Sequence, residues 1–153
     1  MTCTERVLGT APFVVRRRVK WGECDPAGVA YTVSFAEYVV SAAELFYGFL
    51  FDGTPQRVKD QYQFGTPTRA LAFDFRRSLK PDEEFDMTVE VSAIHSRTYT
   101  LQVTARTPAE EVAFIAQLTP ICVVRGERKA IEIPAAFRTR LERYQQELAS
   151  HAR

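Results

Sequence analysis

Two periodicities alternate along the chain. Phe13, Val15, Val19 and Trp21 fall on one face of an extended segment, and Arg16, Arg18 and Lys20 on the other, with Arg17 the exception. That alternation predicts a half-buried strand ending near Trp21. Residues 1–10 read as a loose N-terminal tail. From Val33 to Gly48 the period changes. Ser34, Glu37, Ser41 and Glu44 recur at steps of three and four and form one narrow polar stripe. Phe35, Tyr38, Val39, Val40, Leu45, Phe46 and Tyr47 cover the remaining faces. A helix apolar around most of its circumference is buried on most sides, and a sheet wrapped around it would supply that environment.

Asp52-Gly53-Thr54-Pro55 breaks the pattern, and a short polar helical segment follows to about Tyr62. After Phe64-Gly65-Thr66-Pro67, the stretch Thr68 to Ser78 reads as a strand with Leu71, Phe73 and Phe75 on one face. Phe85, Met87, Val89, Val91 and Ala93 then alternate with Asp86, Thr88, Glu90 and Ser92, the cleanest strand signal in the sequence. His95-Ser96-Arg97 makes a short hairpin into a strand carrying Tyr99, Leu101, Val103 and Ala105 on one face. Val112 to Val124 reads as a long strand, bulged or interrupted at Pro120. Residues 134–150 predict a last helix, with Pro134 in its first turn and an apolar edge of Phe137, Leu141, Tyr144 and Leu148. One strand, a buried helix, four strands joined by short turns and a surface helix place the chain in the α+β class, as a single domain over 1–153.

Composition narrows the function classes. With 46% hydrophobic and 25% charged residues the sequence is that of an ordinary globular domain. A net charge of +1 gives no global attraction to nucleic acid or to a membrane surface. Cys3, Cys24 and Cys122 are too scattered for a disulfide framework or a metal site. The first residues lack the basic-then-apolar order of a signal peptide, and the helix from Val33, short and carrying two glutamates, makes a poor membrane span. A cytoplasmic protein is expected.

The chemistry concentrates between Trp21 and Thr32. Pro26 and Gly28 force a tight turn, which leaves Asp25 just before the first turn of the hydrophobic helix. Free backbone N–H groups and the positive end of the helix dipole can hold an oxyanion there. A carboxylate beside such a site suits acyl transfer, as nucleophile or as general base. Taken alone, Asp25 reads first as a turn aspartate.

The run Glu23-Cys24-Asp25-Pro26-Ala27-Gly28-Val29-Ala30-Tyr31, followed by an aromatic-rich helix, resembles the signature of the 4-hydroxybenzoyl-CoA thioesterase family, and the order of elements extends the resemblance over residues 12 to 135. The resemblance implies the hotdog fold, a curled antiparallel sheet around one long central helix. It implies hydrolysis of an aryl- or short-chain acyl-CoA to free acid and coenzyme A, with no metal or organic cofactor. Asp25 would be nucleophile or general base, and the backbone N–H of Thr32 would bond the thioester oxygen with Tyr31 nearby. Gly28 would let the turn approach the ligand. Thr66 and Thr98 would line the pocket from a partner chain, and Arg97 would hold coenzyme A phosphates at a hairpin where some relatives carry three basic residues and this sequence keeps one. A homodimer is implied, often paired into a homotetramer. Hydrolysis of acyl carrier protein thioesters, or acyl-thioester binding without catalysis, are the alternatives. Glu37 and Glu44 are rival carboxylates, because a second hotdog lineage works from a helix glutamate; Cys24 as nucleophile would need a base such as His95.

Overall fold

The computed structural model describes residues 3–152. Six strands form one antiparallel sheet: β1 (Glu5–Thr10), β2 (Phe13–Arg18), β4 (Thr68–Phe75), β5 (Glu84–Ile94), β6 (Tyr99–Arg106) and β7 (Val112–Pro120), in the order β1-β2-β5-β6-β7-β4. A two-residue pair, β3 (Phe64–Gly65) and β8 (Val123–Val124), stands beside it. The helices are α1 (Thr32–Phe51), α2 (Pro55–Tyr62) and α3 (Ala135–His151).

The inward faces of β2, β5, β6 and β7 supply the core through Phe13, Val15, Phe85, Met87, Val89, Tyr99, Leu101, Val103, Phe114 and Ala116. α1 crosses this face and touches both sides of the sheet. Its Phe46 meets Phe13 of β2 at a ring separation of 5.5 Å, while its Phe35 meets Phe75 of β4, the opposite edge strand, at 4.9 Å. One helix can reach both sides only because the sheet curls around it. This is the hotdog arrangement, with a single core.

Several expectations need correction. The segment read as a loose tail is β1 from Glu5 onward, paired antiparallel with β2. Glu5 also accepts a hydrogen bond from Ser41 Oγ of α1 at 2.7 Å and lies 3.5 Å from Arg17. β2 stops at Arg18, and Trp21 stands 79% exposed in a 3-10 turn, Trp21–Glu23, instead of continuing the buried face. α1 runs past Gly48 to Phe51 and ends on Asp52 in the left-handed region. Gly48 is an interior residue: the chain folds back so that a side chain there would lie 3.1 Å from the Gly53 carbonyl. At 20 residues α1 is long and apolar enough to span a membrane by length and composition, yet nine of its residues are buried against the sheet and the other helices. The solvent stripe is Val33, Glu37, Val40 and Glu44; Ser34 is buried, and Ser41 is half-buried on Glu5. The last long strand does stop at Pro120, β5 is bulged at Ser92, and Pro134 sits just ahead of α3, in the cap position.

Candidate active site

The turn between β2 and α1 is built by short-range bonds. The Asp25 N–H donates to the Val29 carbonyl at 3.0 Å, the Gly28 N–H to the Asp25 carbonyl at 2.9 Å, and the Ala27 N–H to Asp25 Oδ1 at 2.9 Å. Gly28 has φ +82°, which a side chain would strain. No atom crowds the position where its Cβ would stand, so glycine is required for backbone conformation. The Ala30 N–H donates to the Leu79 carbonyl, in the connection between β4 and β5, at 2.8 Å, which anchors the chain just before α1. One oxygen of Asp25 is thus held by the turn, and among the described residues the other accepts no hydrogen bond.

Tyr31 is the N-cap of α1 and Thr32 its first residue, and no side chain caps the helix. Ser34 N–H bonds back to the Tyr31 carbonyl at 2.9 Å. The leading N–H groups of the first turn have no acceptor of their own in the helix and present the positive end of a 20-residue dipole. Asp25, Tyr31 and Thr32 line one cavity of about 370 Å³, together with Phe35, Phe75, Arg76 and Arg77. Its wall is aromatic: Phe35 and Phe75 meet edge-to-face at 4.9 Å, and Phe73, outside the lining, stacks on Phe75 at 5.1 Å. Its rim is basic. Arg76 pairs with Asp74 at 2.9 Å, and Arg77 with Glu83 at 2.7 Å. Burial favours the neutral form of Glu83, but Arg77 and the Lys80 N–H outweigh it and hold the carboxyl below its ordinary range.

Thr66, Thr98 and Arg97 stand elsewhere in the chain. Thr66 lines a second cavity of about 240 Å³ with Val40, Glu44, Tyr47, Lys59 and Thr68. Thr98 is buried against Ile121, and Arg97 is exposed in the β5–β6 hairpin. Of the rivals, Glu44 belongs to the second cavity and Glu37 to the open stripe of α1. The Cys24 thiol is pushed up by burial and by the neighbouring Glu23 and Asp25 carboxylates, which makes it a poor nucleophile. Among the described residues no cluster of three His, Cys, Asp or Glu side chains is arranged for a metal ion.

Residues of this neighbourhood that the sequence reading left unassigned are Phe75, Arg17 and Glu23. Arg17 and Glu23 form a buried ion pair directly under the turn, and Glu23 Oε1 accepts from the Lys20 N–H at 2.7 Å and from Tyr38 Oη at 3.0 Å. An arginine on the inward face of β2 was the visible signal, because a buried guanidinium requires a carboxylate.

The family model described as thioesterase-like superfamily matches residues 19–141. No protein with a curated description matches the sequence. Among solved structures, a thioesterase superfamily protein from Jannaschia sp. CCS1 aligns at TM-score 0.80 and 22% identity, covering 94% of this chain and 96% of the other. A 1,4-dihydroxy-2-naphthoyl-CoA thioesterase from Synechocystis aligns at TM-score 0.75 and 18% identity, over 84% and 94%. A hypothetical protein from Staphylococcus aureus, in complex with CoA, aligns at TM-score 0.81 and 12% identity, over 96% and 89%.

Proposed function

The chain belongs to the thioesterase-like superfamily, and from that premise we propose that it hydrolyses an aryl- or short-chain acyl-CoA to the free acid and coenzyme A, in the manner of the 4-hydroxybenzoyl-CoA thioesterase family. One observation carries the reading: a carboxylate oxygen left free by its turn and an uncapped helix N-terminus open into the same cavity.

Thioester hydrolysis adds water across the acyl–sulfur bond. In the nucleophilic route Asp25 attacks the carbonyl carbon, the thiolate leaves, and water cleaves the resulting anhydride. In the general-base route Asp25 takes a proton from water as that water attacks. Both develop negative charge on the carbonyl oxygen, and the Thr32 N–H with the dipole of α1 would stabilise it. Phe35, Phe75 and Tyr31 offer the acyl group a compact aromatic surface. The CoA bound by a relative of the same fold supports coenzyme A as the thiol half.

The working unit in this reading is at least a dimer. α1 and β4 lie side by side with the Asp25 cavity at one end and the Thr66 cavity at the other, so they run in opposite directions. β4 is an edge strand, and all eight of its residues are half or fully exposed. A two-fold axis through this face pairs β4 with its copy and sets each Asp25 cavity against the partner's Thr66 end. Thr66, Thr98 and Arg97 then serve the partner's substrate, with Arg97 toward the phosphates.

The test is a panel of acyl-CoA and acyl carrier protein thioesters assayed by thiol release, followed by Asp25→Asn. The substitution keeps shape and turn bonding and removes the reacting oxygen. kcat should fall roughly 10²-fold or more while acyl-CoA still binds. Glu37→Gln and Glu44→Gln are the matched controls. Parental turnover in Asp25→Asn, with turnover lost in a glutamate variant, would falsify the assignment. Turnover of carrier-protein thioesters alone would replace coenzyme A as the handle, and no turnover of any thioester would leave a binding protein.

A further inference from the structure

The loop that carries Asp25 leaves from Glu23 and returns to it. The Glu23 carbonyl accepts the Tyr31 N–H at 3.2 Å and the Ser34 hydroxyl at 2.7 Å. Tyr31 is the N-cap of α1, and Ser34, 3% exposed, lies in its first turn. The side chain of the same residue reaches the other way. Its Oε1 takes the Lys20 N–H at 2.7 Å and Tyr38 Oη at 3.0 Å, and its Oε2 binds the Arg17 guanidinium. Arg17 in turn lies over the Tyr38 ring, its Cζ 4.9 Å from the centroid, and belongs to β2. One buried residue therefore ties together the strand before the loop, the 3-10 turn and the first two turns of the helix after it. A buried, fully bonded group of this kind has one arrangement and little freedom.

We infer that Glu23, secured by Ser34, Tyr38 and Arg17, is the positioning residue of this site: it fixes Asp25 in register with the first-turn N–H groups of α1. This rests on the hydrolytic reading above. Asp25 is two residues beyond the clamp and touches none of its members through a hydrogen bond; the turn bonds of residues 25–29 hold its shape, and the Glu23 contacts tie that turn to the helix. Attack on a carbonyl demands that the carboxylate face the carbon while the oxyanion donors meet its oxygen, and a displacement near 1 Å is enough to cost about two orders of magnitude. The buried Arg17 guanidinium also balances the Glu23 charge and so keeps an uncompensated carboxylate away from the developing oxyanion.

The experiment uses Ser34→Ala, which removes one hydroxyl from the clamp, and Tyr38→Phe, which removes another. Ser41→Ala is the control: a serine on the same helix whose hydroxyl bonds Glu5 instead. In Ser34→Ala, amide exchange at Tyr31 should quicken severalfold in the folded protein, and kcat should fall roughly tenfold with KM nearly unchanged. Tyr38→Phe should move both in the same direction, and Ser41→Ala neither. A purely structural role would lower the unfolding midpoint and leave kcat of the folded fraction intact; that result overturns the inference. Unchanged exchange at Tyr31 overturns it as well. If the parent chain hydrolyses no thioester, the hydrolytic reading fails, and the exchange measurement still decides whether the clamp holds the loop.

Discussion

At the level of single residues, burial and charge separate the three cysteines. Cys3 is exposed, Cys24 is half-buried between two carboxylates, and Cys122 is buried. Burial pushes the Cys122 thiol up from 9.0 to about 11, against a smaller lowering by Lys59 and Arg138. The folded chain therefore holds this proton more tightly than the unfolded chain does. The resulting stability is complete below pH 9.0 and is lost as pH rises through about 11. Cys122→Val, which keeps a small apolar side chain, should flatten that alkaline loss. Urea unfolding of both proteins at several pH values in this window checks it, and identical alkaline slopes would remove Cys122 from the account.

At the level of elements, the readable parts are those whose pattern is set by local burial. β5 and β6 alternate because one face of each meets the core, and α1 shows its two glutamates only where it faces out. β1 was not readable: Val7 and Leu8 are each 45% exposed, and its strand form comes from pairing with β2 and from Glu5 reaching Arg17 and Ser41. Gly48 misled for a related reason, since the chain packed against it is what selects glycine. The Asp25 turn was legible from Pro26 and Gly28. Phe75, Arg76 and Arg77 could not be joined to it from sequence, because only the pairing of β4 with β7 brings that edge to the start of α1. α3 shows the same dependence on distant partners. Tyr144 Oη accepts the Phe13 N–H at 2.9 Å and donates to the Val89 carbonyl at 2.5 Å, bridging two residues that face each other across β2 and β5. Tyr144→Phe leaves both backbone groups buried without that partner. The loss should be about 2–6 kcal/mol of unfolding free energy, at about 1–3 per orphaned group. Chemical denaturation checks it, and a change under about 0.5 kcal/mol, the range of ordinary surface substitutions, would show that the two strands close on each other directly.

For the whole molecule, the decisive surface is the face where α1 and β4 meet the outside. Val33 is 63% exposed, Val40 49% and Phe75 48%, and beside them β4 offers unpaired edge groups. The two cavities at its ends are separated along α1 by the distance from Thr32 to Glu44, about 18 Å at the helical rise of 1.5 Å per residue. A thioester reaching from one subunit's Asp25 to the other's Thr66 needs the two-fold contact proposed above, and Val40 lies on its helical part, beside the Thr66 cavity. Val40→Glu separates folding from assembly. In a lone chain the position is half exposed, so a charge there should change stability by no more than about 0.5 kcal/mol. In the two-fold contact the new charge joins Glu37 and Glu44, one helical turn away on either side, so like charges from both copies crowd the contact. Light scattering should give a dimer or larger for the parent chain and a monomer for Val40→Glu, with circular dichroism unchanged. Turnover should fall with the loss of the partner's residues while Asp25 and α1 remain in place. A fully active monomer would show that one chain holds the entire site, and Thr66, Thr98 and Arg97 would then have no part in it.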